Sequence, residues 1–244
     1  MRFYMRLSYR GAGFLGWQVQ PQGSTVQGTL EGVLSRLLGK TIGITGAGRT
    51  DTGVNARMMV AHFDYDGETD VESPDFTYRI NAMCGRDIAV DKIWRVADDA
   101  HARFDAKERT YRYYVTTRKS PFMYPLSWQA PPRLDFEAMN EAAKYLIGKQ
   151  DFTSFSKLHT QVKTNICDVR RAQWVRLSED VWYFEISADR FLRNMVRAVV
   201  GTLVDVGRGK MPPEGVRDIL DARNRCSAGT SMPPQALFLW NIEY

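Results

Sequence analysis

The hydrophobic pattern of this chain runs through the same order of elements twice. Each half has residues that alternate or recur at helical spacing in the order strand, helix, strand, strand, helix, strand, and the second half has one more helix before its last strand. This is the order of the split βαβ, or ferredoxin-like, motif. We therefore expect an α+β fold of two ferredoxin-like βαββαβ halves that form a continuous, mainly antiparallel sheet with helices on one face.

The first half is the more regular of the two. Alternation from Phe3 to Tyr9 predicts a strand, and apolar residues at helical spacing between Val26 and Leu38 predict a helix that ends at Gly39. The preceding Ser24-Thr-Val-Gln segment has the form of a capping box, which predicts a cap at Ser24. The remaining predicted elements are strands near 42–46, 58–65 and 88–96, and a helix opened by Ser73-Pro74 that turns Phe76, Ile80 and Met83 inward.

The second half repeats the order with an insertion. Its predicted elements are a strand around 111–115, a helix from Phe136 that ends at Gly148, strands near 169–177 and 182–188, a helix over 193–206, an inserted helix opened by Pro212-Pro213, and a last strand over 237–242. We place the boundary near Asp105, which predicts domains of residues 1–105 and 106–244.

Composition limits the possible functions. The 244 residues carry 33 Lys and Arg against 28 Asp and Glu, a formal net charge of +5, which favours a polyanionic partner. No segment reaches the roughly 18 apolar residues of a membrane helix, and the N-terminus lacks the apolar core of a signal peptide, so we expect a cytoplasmic protein with no membrane association. The three cysteines and three histidines (Cys84, Cys167, Cys226, His62, His101, His159) have no metal-ligand spacing. We expect no metal site, and we expect the cysteines to be small buried residues.

Two glycine-rich segments need separate interpretation. Gly11-Ala-Gly-Phe-Leu-Gly16 matches a dinucleotide fingerprint, but Pro21 and the later cap at Ser24 exclude the helix that must start inside that motif. We interpret these glycines as loop residues and expect no nicotinamide cofactor. The segment Gly46–Ala56 lacks the Lys of a phosphate-binding loop, and Asp51 within it is by itself more typical of a turn than of catalysis.

Several segments together resemble one family. Residues 9–18 (YRGAGFLGWQ) are similar to the opening motif of the bacterial tRNA pseudouridine synthase I (TruA) family, and Gly48-Arg-Thr-Asp-Thr-Gly53 to its active-site loop. Four further segments follow in the family's order: 101–104 (HARF), 109–113 (RTYRY), 151–155 (DFTSF) and 191–197 (FLRNMVR). The resemblance extends over nearly the whole chain.

The resemblance implies an isomerase that converts uridine to pseudouridine at positions 38, 39 and 40 in the anticodon stem-loop of tRNA. It also implies a homodimer, a central RNA-binding cleft, base flipping and no cofactor. By the same resemblance Asp51 is the catalytic aspartate, Arg197 is its ionic partner, Tyr111 stacks on the target base and Arg49 helps to extrude that base.

The reaction is compatible with these residue types. A carboxylate can attack C1′, stabilise positive charge on the sugar or remove the 2′ proton, and the sequence does not choose among these roles for Asp51. Each residue also has an ordinary structural interpretation: Tyr111 as strand packing, Arg197 as part of a structural ion pair and Arg49 as an exposed turn residue. Arg190, Arg193 and Arg197, together with the run 109–114, are candidates for phosphate contacts.

Two other functions stay open. An RNA-binding module without chemistry fits the positive charge and the aromatic residues. A carboxylate-dependent glycoside hydrolase needs a second acid, and no residue near Asp51 in the sequence offers one. Three positions depart from the family pattern. Asn55 stands where the family more often has histidine, Thr52 where alanine is usual and Ala236 where glycine is common. These departures concern the hydrogen bonds of the loop and the choice of uridine.

Overall fold

The computed structural model describes residues 1–131, 133–157 and 164–244. Over these residues the chain is α+β, with five α-helices and a large, mostly antiparallel open sheet of ten strands, which confirms the predicted fold class. The strands are β1 (Arg2–Tyr9), β2 (Ile44–Gly46), β3 (Asn55–Asp64), β4 (Ile88–Val96), β5 (Glu108–Thr116), β6 (Trp128–Gln129), β7 (Gly148–Asp151), β8 (Ile166–Arg176), β9 (Val181–Ala188) and β10 (Leu237–Glu243). The helices are α1 (Val26–Leu38), α2 (Pro74–Met83), α3 (Phe136–Lys144), α4 (Met195–Gly207) and α5 (Gly215–Ala222). His159 lies outside the described residues.

The chain divides into two compact units. The first contains Met1–Lys107 together with Leu239–Tyr244, and the second contains Glu108–Phe238. The sequence predicts two domains, 1–105 and 106–244. That division states which residues fold together, and it stays a prediction.

The first unit has the strand arrangement of a split βαβ motif. β1 lies between β3 and β4 and is antiparallel to both, with Met5 opposite Ala61 on one side and Ile93 on the other. β2 is antiparallel to β3, and β10 follows β3 in the strand order. The order β4-β1-β3-β2 is the one expected when each of two crossover helices joins parallel strands that have a third strand between them.

The helices of the first unit begin where side chains cap them. Ser73 caps α2 by accepting a hydrogen bond from the Phe76 amide, as predicted. The cap of α1 is Thr25, whose hydroxyl accepts from the Gly28 amide at 3.2 Å, so the prediction of Ser24 was wrong by one residue. Either hydroxyl residue satisfies the pattern, and the extended backbone at Thr25 decides between them. The buried faces of the two helices carry Val26, Leu30, Val33 and Leu34 on α1 and Phe76 and Ile80 on α2, while Met83 is only partly buried.

The second unit has the strand order β5-β9-β8-β7, with the short β6 parallel to β5. Tyr113 and Trp174 lie opposite Phe184 on its two sides, and all three side chains are buried. β7 was not predicted because its sequence, Gly-Lys-Gln-Asp, has no hydrophobic alternation and its pairing with β8 creates the strand.

Helix α4 forms the centre of the second unit. Eleven of its thirteen residues are buried, because a helix that is apolar on nearly all sides packs against neighbours on all sides. Cys84 and Cys167 are buried, and burial raises their thiol pKa values to about 11 and about 12. Cys226 is exposed, which corrects the prediction that all three cysteines are buried. None of the helices in the described residues has the length and apolar character that a bilayer span requires.

Candidate active site

Asp51 lies in the first unit, in the loop that joins β2 to β3. This aspartate loop, residues 47–54, leaves the sheet at Ala47, whose amide donates to the Val60 carbonyl at 2.8 Å. It closes as a turn in which the Val54 amide donates to the Asp51 carbonyl at 3.1 Å. Asp51 is half-buried and Arg49 is exposed, so the two predicted residues share one loop at the protein surface.

A second loop of the first unit supports the aspartate loop. This opening loop, residues 10–17, makes one turn of 3-10 helix at Gly11–Gly13, and no α-helix begins before Val26. Its Trp17 amide donates to the Thr50 carbonyl at 3.2 Å, and its Phe14 carbonyl accepts from the Gly53 amide at 3.4 Å. The interpretation of Gly11–Gly16 as loop residues is confirmed, and the structure adds that this loop lies directly against Asp51's own loop.

The close contact of these loops explains two of the glycines. A Cβ at Gly11 would lie 2.2 Å from the Val54 carbonyl oxygen, and one at Gly16 would lie 2.5 Å from the Thr50 carbonyl oxygen. Gly16 also has φ +89, a conformation that other residues rarely adopt. The opening loop therefore needs glycine at both positions to reach the backbone on either side of Asp51.

Buried polar groups join the same two loops. The Tyr9 and Thr50 hydroxyls share a buried hydrogen bond of 2.8 Å. The Asn55 side chain is 2% exposed, and its Oδ1 accepts from the Gly11 amide at 2.9 Å. This contact shows what Asn55 does: it supplies an acceptor for the buried Gly11 amide.

Tyr111 lies in the second unit, on β5 opposite Ile186. The Tyr111 side chain is half-buried, and the Phe191 ring meets it edge to face, with centroids 5.0 Å apart and an interplanar angle of 81°. Its neighbour Tyr113 is fully buried, and burial raises the pKa of that hydroxyl far above its usual range. Tyr113 is therefore a packing residue of this strand, while the Tyr111 side chain keeps part of its surface exposed.

Arg197 lies on the first turn of α4 in the second unit. The guanidinium Nε donates to the Met232 carbonyl at 2.6 Å, and the Met232 amide donates to the Arg197 carbonyl at 3.1 Å. The flanking Val196 and Ala198 are buried and Arg197 is half-buried. That its aliphatic stem runs along apolar surface stays a prediction.

Residues 228–233, here called the strap, fix the N-terminal end of α4. Asn194 has φ +67, and its Nδ2 donates to the Ser231 Oγ at 2.6 Å. Arg225 donates to the same Oγ at 3.0 Å, and the Tyr113 hydroxyl donates to the Pro233 carbonyl at 3.1 Å. Two successive carbonyls of the strap, those of Met232 and Pro233, thus accept from Arg197 and Tyr113.

The structure therefore places the predicted residues in two pairs. Arg49 and Asp51 share a loop of the first unit, and Tyr111 and Arg197 belong to the second unit. The ion pair between Asp51 and Arg197 stays a prediction. Sequence reasoning missed the supporting role of the opening loop, the contact of Phe191 and the strap, although Gly11–Trp17 and Phe191 lie inside the motifs that carried the family resemblance.

The other predicted groups have these positions. Arg193 is exposed and Arg190 is half-buried, so phosphate contacts by this cluster stay a prediction. His62 is a buried histidine whose Nδ1 accepts from the Ala102 amide at 3.2 Å. Among the residues that the structure describes, no three His, Cys, Asp or Glu side chains are grouped so as to hold a metal ion.

Comparisons with known proteins agree with the resemblance. A family model described as tRNA pseudouridine synthase matches residues 142–244. Over its whole length the chain is similar to proteins named tRNA pseudouridine synthase A: it is 53% identical to that of Parabacteroides distasonis, covering 96% of that protein, and 52% identical to that of Bacteroides fragilis, also covering 96%. It is 40% identical to that of Bacillus subtilis, covering 99% of that protein.

Proposed function

Because the chain belongs to the tRNA pseudouridine synthase A family, we propose that it isomerises uridine to pseudouridine at positions 38, 39 and 40 in the anticodon stem-loop of tRNA. The isomerase activity on tRNA follows from the family itself. The choice of positions is the finer part of the proposal, and it rests on the resemblance of the motifs. The observation that carries the proposal is a half-buried aspartate on a surface loop that a second loop holds through backbone contacts.

The reaction conserves all atoms. The bond between C1′ and N1 breaks, the uracil turns, a bond forms between C1′ and C5, and the proton on C5 is lost while N1 gains one. Cleavage places positive charge on the sugar. The carboxylate of Asp51 next to C1′ has three possible roles: it attacks C1′, it stabilises that positive charge, or it removes the 2′ proton. A carboxylate on a fixed turn loses little entropy when it reaches this geometry.

The other site residues have distinct proposed tasks. Arg197 pairs with Asp51 and fixes the direction of the carboxylate, and its bond to the Met232 carbonyl supports this role because it orients the guanidinium. Tyr111 stacks on the flipped uracil, with Phe191 packed edge-on against the tyrosine ring. Arg49 is exposed two residues before Asp51, where a planar cation can take the place of an extruded base in the stem.

The substrate accounts for the remaining expectations. We propose that a homodimer works in the cytoplasm and recognises the folded stem-loop mainly by its shape and phosphates, which suits a net charge of +5. The positive charge then contributes to affinity, while the 2′-hydroxyl distinguishes RNA from DNA.

The test is an isosteric change of the carboxylate. In Asp51→Asn the side chain keeps its shape but loses its charge, and we expect turnover to fall by about 10³-fold or more while tRNA binding changes little. Turnover is measured as tritium released from C5 of labelled uridine in tRNA, with Asp66→Asn, an exposed carboxylate of the same unit, as the control. Turnover of Asp51→Asn close to wild type contradicts the proposed role.

Two further outcomes separate the other candidate functions. If the protein is an RNA-binding module without chemistry, the wild type binds tRNA but releases no tritium. If it is a glycoside hydrolase, the wild type releases free uracil. The positions are tested with tRNAs that carry a single uridine at position 38, 39 or 40, and failure to modify any of the three contradicts the proposed specificity.

A further inference from the structure

An exposed aromatic side chain lies on the segment that follows β4 in the first unit. Phe104 is 74% exposed, although a phenyl ring in water is unfavourable. The ring of Phe104 stacks on that of His101, with centroids 4.1 Å apart and an interplanar angle of 30°. The guanidinium of Arg103 lies 5.8 Å from the phenyl centroid. The stack therefore offers an aromatic surface beside a cation.

Hydrogen bonds hold this stack in one geometry. The His101 Nδ1 accepts from the amides of Arg103 and Phe104 at 3.2 and 3.3 Å. The Phe104 and Asp105 amides donate to the His101 carbonyl, and Asp105 Oδ2 accepts from the His101 amide at 2.7 Å. Phe104 is thus exposed on an ordered turn.

The turn rests on buried groups of the same unit. His101 meets the ring of His62 edge to face, with centroids 4.7 Å apart. His62 is 7% exposed, and burial together with the nearby charge of Arg2 lowers its pKa to about 4. The Tyr244 hydroxyl donates to the Ala102 carbonyl at 2.8 Å. These contacts make the turn that carries Phe104 rigid before any ligand binds, which lowers the entropic cost of binding.

We propose that Phe104 is a stacking site for an unpaired base of the tRNA substrate. The inference rests on the proposed function for the identity of the ligand. Phe104 lies between the exposed residues Arg103 and Asp105 and is not part of a run of exposed apolar residues, whereas a protein partner generally needs a contiguous apolar patch. A single ring on a polar surface, with a neighbouring arginine, has instead the size and chemistry of one nucleobase contact.

The first test compares three variants at this position. We expect Phe104→Ala to weaken tRNA binding and to raise KM for tRNA by about 5- to 150-fold, because stacking on one base contributes about 1–3 kcal/mol. Phe104→Trp keeps binding near wild type, and Phe104→Leu stays weak because it restores apolar area without a π face. The value of kcat at saturating tRNA stays within about 2-fold of wild type, since this ring serves binding.

The matched control is Phe122→Ala in the second unit. Phe122 is 94% exposed, so its removal deletes an exposed phenyl ring of the same size at another place. We expect tRNA binding by Phe122→Ala to equal that of wild type. Equal binding by Phe104→Ala and wild type overturns the inference, and so does a loss of binding that Phe104→Leu restores.

A photoreactive benzoylphenylalanine at position 104 identifies the partner directly. We expect a covalent adduct with tRNA after irradiation of the complex. An adduct only with a second copy of the chain, or no RNA adduct, overturns the proposal. If wild type forms pseudouridine but Phe104→Ala binds tRNA normally, only the stacking inference fails, whereas a wild type that releases no tritium contradicts the proposed function.

Discussion

The aspartate loop of the first unit and the N-terminal end of α4 in the second unit are fixed in different ways. The aspartate loop is held mainly by backbone that approaches backbone, through Gly11 and Gly16 of the opening loop. The end of α4 is held mainly by side chains that bond the strap, through Asn194 and Arg197. The first arrangement tolerates almost no added volume, while the second depends on individual hydrogen bonds. Substitutions should therefore have larger effects in the first region.

The largest effect is expected for Gly11→Ala. The new Cβ would overlap the Val54 carbonyl oxygen, which is fixed by the turn at Asp51, so one of the two loops must move. We expect turnover to fall by about 10²-fold or more, because a displacement of about 1 Å at a reacting group has this cost. Tritium release from labelled tRNA measures the loss.

Gly32→Ala is the control for this prediction. Gly32 lies inside α1, and a Cβ there meets nothing within 4 Å. Alanine at this helical position should raise the free energy of unfolding by about 0.5–1 kcal/mol and leave turnover unchanged. Equal activity of Gly11→Ala and Gly32→Ala would contradict the close contact of the two loops.

An intermediate effect is expected at Asn55. Asn55→Ala leaves the buried Gly11 amide without its acceptor, which should lower the free energy of unfolding by about 1–3 kcal/mol and reduce turnover. Asn55→His should keep most of the stability and most of the turnover. The histidine Nδ1 occupies the same place along the side chain as the asparagine Oδ1, and it also accepts a hydrogen bond. Chemical denaturation and tritium release measure the two effects.

The two variants at position 55 also separate two explanations. If Asn55→His loses as much stability and turnover as Asn55→Ala, then an acceptor for the Gly11 amide is not what this position provides.

The smallest effect is expected at Ser231. Ser231→Ala removes an acceptor shared by Asn194 and Arg225, which should lower the free energy of unfolding by about 1 kcal/mol and loosen the strap that holds Arg197. We expect kcat to fall by about 3- to 10-fold with KM for tRNA nearly unchanged, since the proposed role of Arg197 is to orient Asp51. Ser231→Thr keeps the hydroxyl and should rescue kcat.

Ser178→Ala is the control because Ser178 is an exposed serine of the same unit. For Ser231→Ala, a fall in kcat as large as that of Gly11→Ala would contradict the difference between the two regions. A change confined to KM would contradict it as well.

Much of the fold was predictable because its signals are local. The strand over 88–96 has the observed bounds of β4, and the helix between Val26 and Leu38 has those of α1, since alternation and helical spacing are properties of adjacent residues. β7 was missed because pairing with β8 forms it from residues with no pattern of their own. Tyr4 on β1 is buried, and the rings of Tyr244 and Trp94 pack against it, one of them from the other end of the chain.

The candidate site was predictable in its residues but not in its support. Asp51, Arg49, Tyr111 and Arg197 were found because they lie inside motifs, and their roles stay predictions. Nothing in the sequence shows that Asn55 bonds Gly11, because the two residues are 44 positions apart and meet only through the pairing of Tyr9 with Ala56 on β1 and β3.

The sequence by itself determined the duplicated order of elements, the mainly antiparallel α+β class and the family. These follow from hydrophobic periodicity and from short motifs, and both are properties of neighbouring residues. Only the tertiary structure decided that the opening loop lies against the aspartate loop, that the strap holds Arg197, and that Phe104 is exposed on a rigid turn. Such contacts join residues far apart in the chain, and their geometry exists only after the strands have paired and the helices have packed.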